Sequence, residues 1–492
     1  MNKFRSLIFD FIKPKYFIAN SARMGAAGSG GSGIPFYGYT SAVIADGAAA
    51  YWKLDEATGS TAVDYASSLD GTYTNGVTKG VAKLISDSGG TAVSFDGTND
   101  FITMGDVLDF DQGDRFSIEF LINTTDDGGG SGASIISKQS NTAPYSGYSL
   151  YVYINYIYIS LIGTTYANRL ESHYAVAIND GEDHHVVWTY NGSSNISGMK
   201  LSVDGVFQTM TTDVNNLSTS TVCAEPFNIG ARNSVDIFVS AVIDEVAVYA
   251  TALPEITVRK HKALSLGYAS ATYPFAVITD GAIGYWRLGE TTASTAYSDV
   301  NHVMDGTYTN GVTKGVTSLV STETDTAASF DGTNDYVSVT DTTDLKITGN
   351  ITVETIVAFS STQTGKYIVS KWDNAAQLSY ILNIPATNNV FQFAIRTGGA
   401  TKKARSTPTY NDGNSHHVMG TYDGSNIKLY VDKVLVDSSA VTGSITDSTA
   451  DFVIGAGDGN ISNFDGTIDD TAIYATALTS AQVSSHFAAT GL

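Results

Sequence analysis

The strongest constraint on this chain is that its sequence repeats itself. The twelve residues DGTYTNGVTKGV begin at Asp70 and occur again, unchanged, from Asp305. The motif SFDGTND also occurs twice, and IDEVAVYATAL from Ile243 matches IDDTAIYATAL from Ile468. The motifs keep the same order in both copies, and each copy is far longer than the roughly 20–50 residues of a solenoid repeat. The sequence therefore predicts a tandem duplication of one whole domain.

The ends of the two copies indicate the domain boundaries. The first copy closes with ALPEITVRKHKALSLG, in which Pro254 suits the first turn of a helix and Gly267 the residue just past its end. The second copy closes with LTSAQVSSHFAATG, where Thr479 and Gln482 have capping-box spacing. We therefore expect each domain to end in a short helix. The predicted divisions are an arm at 1–33, a first domain at 34–268 and a second domain at 269–492.

Within each copy, short runs of Val, Ile, Tyr and Phe alternate with turns rich in Gly, Asn, Asp and Thr. Period-two runs bounded by such turns are typical of antiparallel strands, and helical patterns do not alternate with them as a parallel α/β fold would require. The pairs Asn191-Gly192 and Asp204-Gly205 predict tight hairpin turns. The second copy has Lys433 in place of the second glycine, so we expect a less regular turn there. The predicted fold class is all-β, with two antiparallel β-sandwiches.

Charge separates the N-terminal arm from the rest of the chain. The formal net charge is −22, which disfavours binding to nucleic acid because phosphates would be repelled. The arm differs, since it mixes aromatic with basic residues, has one acidic residue and ends in a Gly/Ser tether. Its basic residues are Lys3, Arg5, Lys13, Lys15 and Arg23. We interpret it as an extended arm that docks on another protein, with a secretory signal as the alternative that its interrupted apolar centre disfavours.

No apolar run reaches the roughly 18 residues of a membrane-spanning helix, so no membrane span is expected. Cys223 is the only cysteine, which excludes a disulfide within the chain. Stability must therefore come from packing, with bound metal as a further source.

Taken together, the ordered motifs resemble a known family. YWKLDE, DGTYTNG, SFDGTND, HHVVWTYNG and IDEVAVYATAL are similar to the concanavalin A-like jelly roll of laminin G and pentraxin-type domains. They most resemble the tandem modules of bacteriophage virion proteins and bacterial surface proteins. The resemblance covers both copies and leaves out only the arm. It implies two tandem jelly rolls, but such sandwiches include lectins, adhesins, enzymes and structural spacers, so the fold does not determine the function.

Catalysis is not expected from the acidic residues. Related glucanases carry carboxylates at Glu-x-Asp-x-Glu spacing, which places all three on one face of a strand. The nearest approach here, Glu323-Thr-Asp325, lacks the third acid. Glu119 and Glu354 occupy matching strand positions without partners in the sequence. We therefore predict that the protein is not an enzyme.

Two histidine pairs, His184-His185 and His416-His417, suggest zinc at first sight. Neighbouring residues on a strand point to opposite faces, so the two rings of a pair cannot converge on one ion. We expect one histidine of each pair to pack and hydrogen-bond while the other faces outward.

The repeated FDGTND loop is the candidate calcium site. Calcium takes carboxylate and carbonyl oxygens from flexible loops of this kind. The resemblance implies that such domains often hold one calcium ion at a sheet edge, to which carboxylates of the last strand would contribute. The candidate ligands are Asp96, Asp100, Asp244, Asp331, Asp335 and Asp469. The alternative is that the loop aspartates form Asx turns.

A tyrosine-rich hairpin, YSGYSLYVYINYIYISL from Tyr145, is the candidate glycan-binding face. Tyrosine rings stack on the apolar faces of sugars and offer hydroxyl groups, and the second copy has far fewer tyrosines here. We select Tyr151, Tyr153 and Tyr158. The alternative is that these aromatic residues fill the sandwich core.

The whole chain is then predicted to be a non-enzymatic virion structural protein of a bacteriophage, in a fibre, a spike or a decoration of tail or capsid. The arm would bind other virion proteins, and the two lectin-like domains, displayed in many copies or as a homo-oligomer, would bind host-surface glycans. A secreted or cell-surface bacterial adhesin is the alternative. An enzyme acting on glycans is the less favoured one.

Overall fold

The structure, a computed structural model, describes residues 38–86, 90–175, 178–372, 378–387 and 389–492. The predicted docking arm at 1–33 lies outside these residues. Both repeats belong to one compact unit, Phe36–Leu492. Among the described residues, no helix has the length and apolar character needed to cross a membrane.

Among the described residues, the first domain has two α-helices and seventeen strands. Helix α1 spans Tyr39–Ala45 and helix α2 spans Glu255–Ser265. The strands are β1 (Ala48–Trp52), β2 (Thr61–Ala62), β3 (Gly71–Thr74), β4 (Thr78–Val81), β5 (Ala92–Asp96), β6 (Phe101–Thr103), β7 (Phe116–Thr124), β8 (Ala133–Gln139), β9 (Gly147–Tyr153), β10 (Tyr156–Ile162), β11 (Arg169–Tyr174), β12 (Asp183–Tyr190), β13 (Met199–Val203), β14 (Val206–Phe207), β15 (Thr211–Asn216), β16 (Asn228–Ile229) and β17 (Ser240–Tyr249).

The second domain repeats this arrangement with helices α3 (Tyr273–Thr279) and α4 (Ser480–Thr490). Its strands are β18 (Gly284–Trp286), β19 (Thr295–Ala296), β20 (Gly306–Thr309), β21 (Thr313–Thr317), β22 (Thr326–Asp331), β23 (Tyr336–Val339), β24 (Ile351–Ala358), β25 (Lys366–Trp372), β26 (Leu378–Ile384), β27 (Gln392–Thr397), β28 (Ala400–Arg405), β29 (His416–Tyr422), β30 (Asn426–Val431), β31 (Val434–Ala440), β32 (Phe452–Ile454) and β33 (Asp465–Tyr474).

Each domain is a sandwich of two antiparallel sheets. In the first domain the sheet β14-β13-β12-β7-β17-β5-β4, with β1 beside β17, faces the sheet β15-β11-β10-β9-β8-β16-β6-β3-β2. In the second domain the sheet β21-β22-β33-β24-β29-β30-β31, with β18 beside β33, faces the sheet β19-β20-β23-β32-β25-β26-β27-β28. The predicted all-β tandem sandwich is therefore confirmed, as is the short helix at the end of each domain.

The two sheets of a domain differ in what covers their outer faces. The main apolar core lies between the sheets, where alternate residues of each strand are buried. The first-named sheet of each domain has a second apolar layer, formed where the helices pack on its outer face. We call it the helix-backed sheet and its partner the open sheet. The helices that begin each copy, α1 and α3, were not expected from the sequence.

The two matching hairpin turns, at Asp204-Gly205 and at Asp432-Lys433, have the same backbone conformation. Asp204 and Gly205 form the expected two-residue turn, with both residues at positive φ. Lys433 was expected to make the copied turn less regular, but Asp432 and Lys433 adopt the same positive-φ pair between Val431 and Val434. That prediction was wrong, because the twist of the paired strands imposes the turn and Lys433 accepts the strained conformation.

The two domains are joined by packed helices. Ala263 of α2 is buried in one apolar cluster with Tyr273 and Val277 of α3. A Cβ atom placed on Gly281 would lie 3.0 Å from the Arg259 guanidinium of α2, so the chains approach closely there. This packing joins the two sandwiches into a continuous body.

Candidate functional site

The three candidate tyrosines lie on the outer face of the open sheet in the first domain. Strand alternation sends Leu150 and Val152 into the core and turns Tyr151 and Tyr153 outward, where both remain half-buried. Tyr158 pairs with Tyr151 across β9 and β10, and their rings stack with centroids 5.1 Å apart. These tyrosines therefore lie outside the sandwich core, and the alternative that they fill it is wrong.

A groove of about 230 Å³ lies on this face. Tyr151 and Tyr153 line it, together with Tyr145 and Tyr166 from the loops around it. Tyr158 supports Tyr151 from behind and is not part of the lining. The candidate residues thus form one cluster, but the groove draws half of its aromatic wall from residues that sequence reasoning did not select.

The floor of the groove is polar. The hydroxyls of Ser149 and Ser160 are 3.0 Å apart on paired strands, and Gln139 lies at the end of β8 beside them. Glu171 comes from β11, opposite Ser160. These residues are buried, although they face away from the core, because the surrounding loops and tyrosines rise above them. The sequence does not give the strand register. With that register known, strand pairing alone would have placed Ser160 opposite Glu171.

A glycine-rich loop, DDGGGSG from Asp126, forms one wall of the groove. Gly128 has φ +73°, and a Cβ atom there would lie 2.1 Å from the carbonyl oxygen of Val152. Only glycine fits such an approach. The loop therefore lies directly on the strand and leaves the ends of Tyr151 and Tyr153 uncovered by side chains.

In the described part of the second domain, the equivalent surface has a different composition. Lys138 and Lys371 donate to the equivalent Asp106 and Asp341, and they pair with Tyr148 and Tyr380 on the next strand. These pairings fix the correspondence between the two sheets. Ser149 and Ser160 then correspond to the paired Ile381 and Ala394.

These two residues belong to a small apolar cluster with Trp372, which occupies the place of Gln139. Asn383 and Gln392 replace the tyrosine stack and hydrogen-bond to each other at 3.1 Å. At these described positions, the polar and aromatic residues of the first domain are thus replaced in the second.

The structure does not bring the six candidate calcium ligands together, and calcium binding by the FDGTND loops stays a prediction. Asp100 is buried, and its two carboxylate oxygens accept hydrogen bonds from the backbone N–H groups of Gly76 and Asp96. Asp96 accepts from the N–H of Thr98. Asp335 and Asp331 repeat the arrangement with Gly311 and Thr333. The loops therefore have the Asx-turn geometry that was the alternative.

The last-strand aspartates lie elsewhere. Asp96 is paired with Ser240, four residues before Asp244 on β17, a separation of about 13 Å along a strand. Asp244 accepts from the N–H of Leu84 instead. Within the described residues, no three His, Cys, Asp or Glu side chains are placed to hold one metal ion. The predicted donor set does not fit calcium in this arrangement.

The FDGTND loop also explains why DGTYTNG is repeated without change. Asn75 donates to the carbonyl of Asn99, and Gly76 donates to Asp100, so the two motifs hold each other in place. In the second copy Asn310 donates to Asn334 in the same way. The identity of the motifs reflects a shared structural contact.

The histidine pairs lie in buried polar networks and face no metal. In the first domain both are buried: His184 bonds to Asp204 at 2.7 Å and His185 to Glu119 at 2.7 Å. The expectation that one histidine faces outward is wrong there. In the second domain His417 is buried against Glu354, and His416 is half-buried against Asp432.

Glu119 is the centre of the larger network. Its carboxylate is fully buried and accepts from Tyr39 of α1 and Tyr249 of β17, each at 2.8 Å, while His261 of α2 contacts both oxygens at 3.0 Å. Burial alone would raise the pKa of Glu119, but His261 and His185 outweigh it and hold that pKa well below its usual range.

The pKa of His261 is shifted in the opposite direction, upward. Burial lowers the pKa of His261, and Glu119 with Asp46 overcomes this and raises it to about 9. Glu354 and His486 repeat the arrangement in the second domain. Glu119 and Glu354 therefore fasten the helices to the sheet.

A separate cluster of carboxylates surrounds Arg287 in the second domain. Glu323 and Asp325 both contact its guanidinium, and Asp469 and Asp470 of β33 lie beside them. Glu323 Oε1, Asp469 Oδ1 and Asp470 Oδ2 are buried without a hydrogen-bond partner. Burial raises the pKa values of Glu323 and Asp469 to about 7. In the first copy, Ser88 and Gly90 hold the positions of Glu323 and Asp325, and Lys53, which is paired with Asp55 at 3.0 Å, holds the position of Arg287.

Comparison with known proteins identifies the family. Residues 96–259 and 331–484 match the model of the concanavalin A-like lectin/glucanases superfamily, Laminin_G_3. The chain belongs to this superfamily. Both repeats are matched, which agrees with the resemblance expected from the motifs. No curated protein sequence matches the chain.

Solved structures are similar to this chain at low identity. Domains LG4-5 of the mouse laminin α1 chain are 15% identical, with 81% of this chain and 94% of that chain covered and a TM-score of 0.26. Domain 4 of an extracellular GH43 arabinanase from Geobacillus stearothermophilus, in complex with arabinotriose, is 17% identical over 42% of this chain and 97% of that one, with a TM-score of 0.34. The binding domain of Paraclostridial Mosquitocidal Protein 1 is 12% identical over 84% and 92%, with a TM-score of 0.36.

Proposed function

We propose that this protein is a non-enzymatic glycan-binding component of a bacteriophage particle, with the groove of the first domain as its binding site. The observation that carries the proposal is the contrast between the two copies. One open sheet has a polar floor walled by tyrosines, and the other has an apolar cluster built on Trp372. The second domain then serves as a spacer.

The groove combines the two features that sugar recognition uses. Tyrosine rings stack on the apolar face of a sugar ring, and hydroxyl and amide groups bond to its hydroxyls. Burial raises the pKa of Tyr151, which keeps its hydroxyl protonated and able to donate. Glu171 is the only carboxylate among the residues lining the groove, whereas glycosidases of the usual kind need two. The groove therefore supports binding in preference to hydrolysis.

Display in many copies on a particle compensates for the weak affinity of a single groove. A stacked aromatic contributes on the order of 1 kcal/mol beyond its buried area, so a single site should bind weakly. Many copies attached to one particle raise the overall affinity by about two or more orders of magnitude. The arm at 1–33 fits such attachment to other virion proteins, since its basic and aromatic residues precede a flexible Gly/Ser tether.

The experiment is a glycan array probed with the full chain, presented in many copies on beads, beside Tyr153→Ala and Tyr151→Ala. Both variants should lose at least tenfold in retention on the glycans that the wild type binds. Asn383→Ala, at the position equivalent to Tyr151 in the second domain, is the matched control and should bind as the wild type does.

Circular dichroism at 25 °C checks that the variants remain folded. Wild-type beads that retain no glycan would contradict the proposed function. The particle context is tested by deleting residues 1–33: the truncated chain should be missing from purified particles. A native protein found on bacterial cells and absent from particles would favour the adhesin.

A further inference from the structure

The charges around the groove indicate which class of glycan it accepts, an inference that rests on the proposed function. Arg232 is the only cationic residue among those lining the groove. Its Nε and one terminal nitrogen donate to the two carboxylate oxygens of Asp236, at 3.0 and 2.7 Å. A guanidinium held by a carboxylate in this two-point manner has its charge neutralised and its best anion-binding edge filled.

The neighbouring arginine is paired as well. Arg169 donates from Nε to Glu171 at 2.9 Å and from a second nitrogen to the carbonyl of Tyr166 at 2.7 Å. Its guanidinium also lies over the ring of Tyr166, 4.0 Å from the centroid. Both arginines near the groove therefore have partners of their own within the first domain.

Glu171 keeps one carboxylate oxygen for a ligand. Arg169 engages Oε2, whereas Oε1 has the Tyr151 hydroxyl at 3.5 Å, which is long for a hydrogen bond to a carboxylate. A carboxylate oxygen in a groove accepts from a sugar hydroxyl and repels a carboxylate of the ligand. Beside it, Ser160 lines the groove, and its hydroxyl, 3.0 Å from that of Ser149, can both donate and accept a hydrogen bond.

The size of the groove limits how much of a glycan enters it. Its volume of about 230 Å³ lies below the range of roughly 300–1,000 Å³ that is usual for drug-sized ligands. The glycine-rich loop closes one side, because Gly128 lies directly on the backbone of Val152. One sugar ring fills such a space, and the rest of a longer chain would extend out of it.

We infer that the groove selects a single uncharged sugar residue with neighbouring hydroxyls, and discriminates against sugars that carry a carboxylate. Glu171 accepts from the hydroxyls, Ser160 bonds beside it, and Tyr151 and Tyr153 flank the ring. The paired state of Arg232 is what excludes the acidic sugars, since the described residues that line the groove offer no other cation to compensate their charge.

The test uses the full chain on an array that contains matched pairs of oligosaccharides, identical except for a terminal neutral or carboxylate-bearing sugar. The wild type should retain the neutral member at least tenfold better. Asp236→Asn releases Arg232 from its charge partner and should raise retention of the acidic members tenfold or more, with a gain that falls as salt rises from 50 to about 200 mM.

Glu171→Gln removes the acceptor charge with little change of shape and should lower retention of the neutral members about tenfold. Lys403→Gln is the matched control, because Lys403 stands opposite Ala394 as Glu171 stands opposite Ser160, and it should change nothing. A wild type that prefers the acidic members overturns this inference and leaves the proposed function intact. If neither the wild type nor Asp236→Asn retains any neutral or acidic oligosaccharide, both this inference and the proposed function are overturned.

Discussion

At the scale of single residues, the most consequential side chains are carboxylates buried away from water. Glu119 and Glu354 are each compensated by two histidines, so burial costs the folded state little. The negative charge of the acids around Arg287 is offset by one guanidinium and by the protonation that their raised pKa values favour. Removing one partner from a buried ion pair typically costs about 3–5 kcal/mol, whereas relieving an excess of like charge stabilises. The two kinds of site should therefore respond to mutation in opposite directions.

The protonated histidines predict a loss of stability at alkaline pH. The pKa values of His261 and His486 are raised to about 9 in the folded state. A raised histidine pKa contributes stability that is fully present below about pH 6.5 and is lost as pH rises through 9. The melting temperature should fall between pH 7 and 10, as scanning calorimetry of the full chain would measure.

The double variant Glu119→Gln/His261→Gln, which removes the charge pair from the first domain, is the control for this pH dependence. It should be less stable at pH 7 but should lose less on going to pH 10. A wild type that melts at the same temperature throughout this range would show that the histidines are neutral when folded.

The acid cluster predicts that one substitution stabilises the second domain. Burial, with Asp325 nearby, raises the pKa of Asp469 to about 7, so folding favours its protonated form. Stability is then greatest below the unfolded value near 4 and decreases as pH rises toward 7. Asp469→Asn keeps the shape and removes the charge, so it should stabilise at pH 8 by up to about 4 kcal/mol and have little effect at pH 4.

Urea unfolding at the two pH values measures this difference. Asp244→Asn makes the same change in the first domain, where Ser88 and Gly90 replace the two loop acids, and should give no such gain. Equal destabilisation by Asp469→Asn at both pH values would mean that its bonds from Leu319 and Ser318 matter more than its charge.

At the scale of structural elements, loops and strand pairings determine which residues meet. The FDGTND loop and the DGTYTNG segment are joined through Asp100, which is buried and accepts from two backbone N–H groups. Leaving buried donors without partners costs about 1–3 kcal/mol. The loop is therefore a structural joint that holds β4, β5 and β6 in register.

This joint predicts how the calcium hypothesis should fare in solution. Asp100→Ala should lower the stability of the first domain by roughly 2–4 kcal/mol, because two N–H groups lose their acceptor. Asp335→Ala should do the same in the second domain. The size of each loss should not depend on added calcium or chelator, as thermal melts in 1 mM calcium and in 1 mM EDTA would show. A wild type that melts lower in EDTA would restore the calcium hypothesis.

The element scale also separates what the sequence could predict from what it could not. The duplication, the sandwiches and the closing helices were readable because they follow from repeats, period-two patterns and capping residues. The outward tyrosines were readable from alternation along β9. Ser160, Glu171 and Arg232 were not, because their meeting depends on strand register and on loops that bring distant segments together. The pairing of Asp244 with Leu84, and of Asp469 with Leu319, escaped for the same reason.

At the scale of the whole molecule, the helices turn two repeated sandwiches into one body. The last helix of the first domain, α2, packs on the first helix of the second domain, α3. The contact is more than apolar: His184 of the first domain lies 6.2 Å from His302 of the second, and Arg287 lies over Tyr268 at 5.2 Å. The linker between α2 and α3 is short. The groove of the first domain is therefore held at a fixed orientation to the second domain.

The packed junction predicts that the sandwiches unfold together. Ala263 is fully buried between α2 and α3, so Ala263→Arg would force a charged side chain into this apolar contact and separate the domains. The wild type should melt in one transition and the variant in two, with a larger radius of gyration by X-ray scattering. Ala488 holds the equivalent position on α4 but is exposed, so Ala488→Arg should leave both measurements unchanged. Two transitions in the wild type itself would mean that the domains, although in contact, are independent.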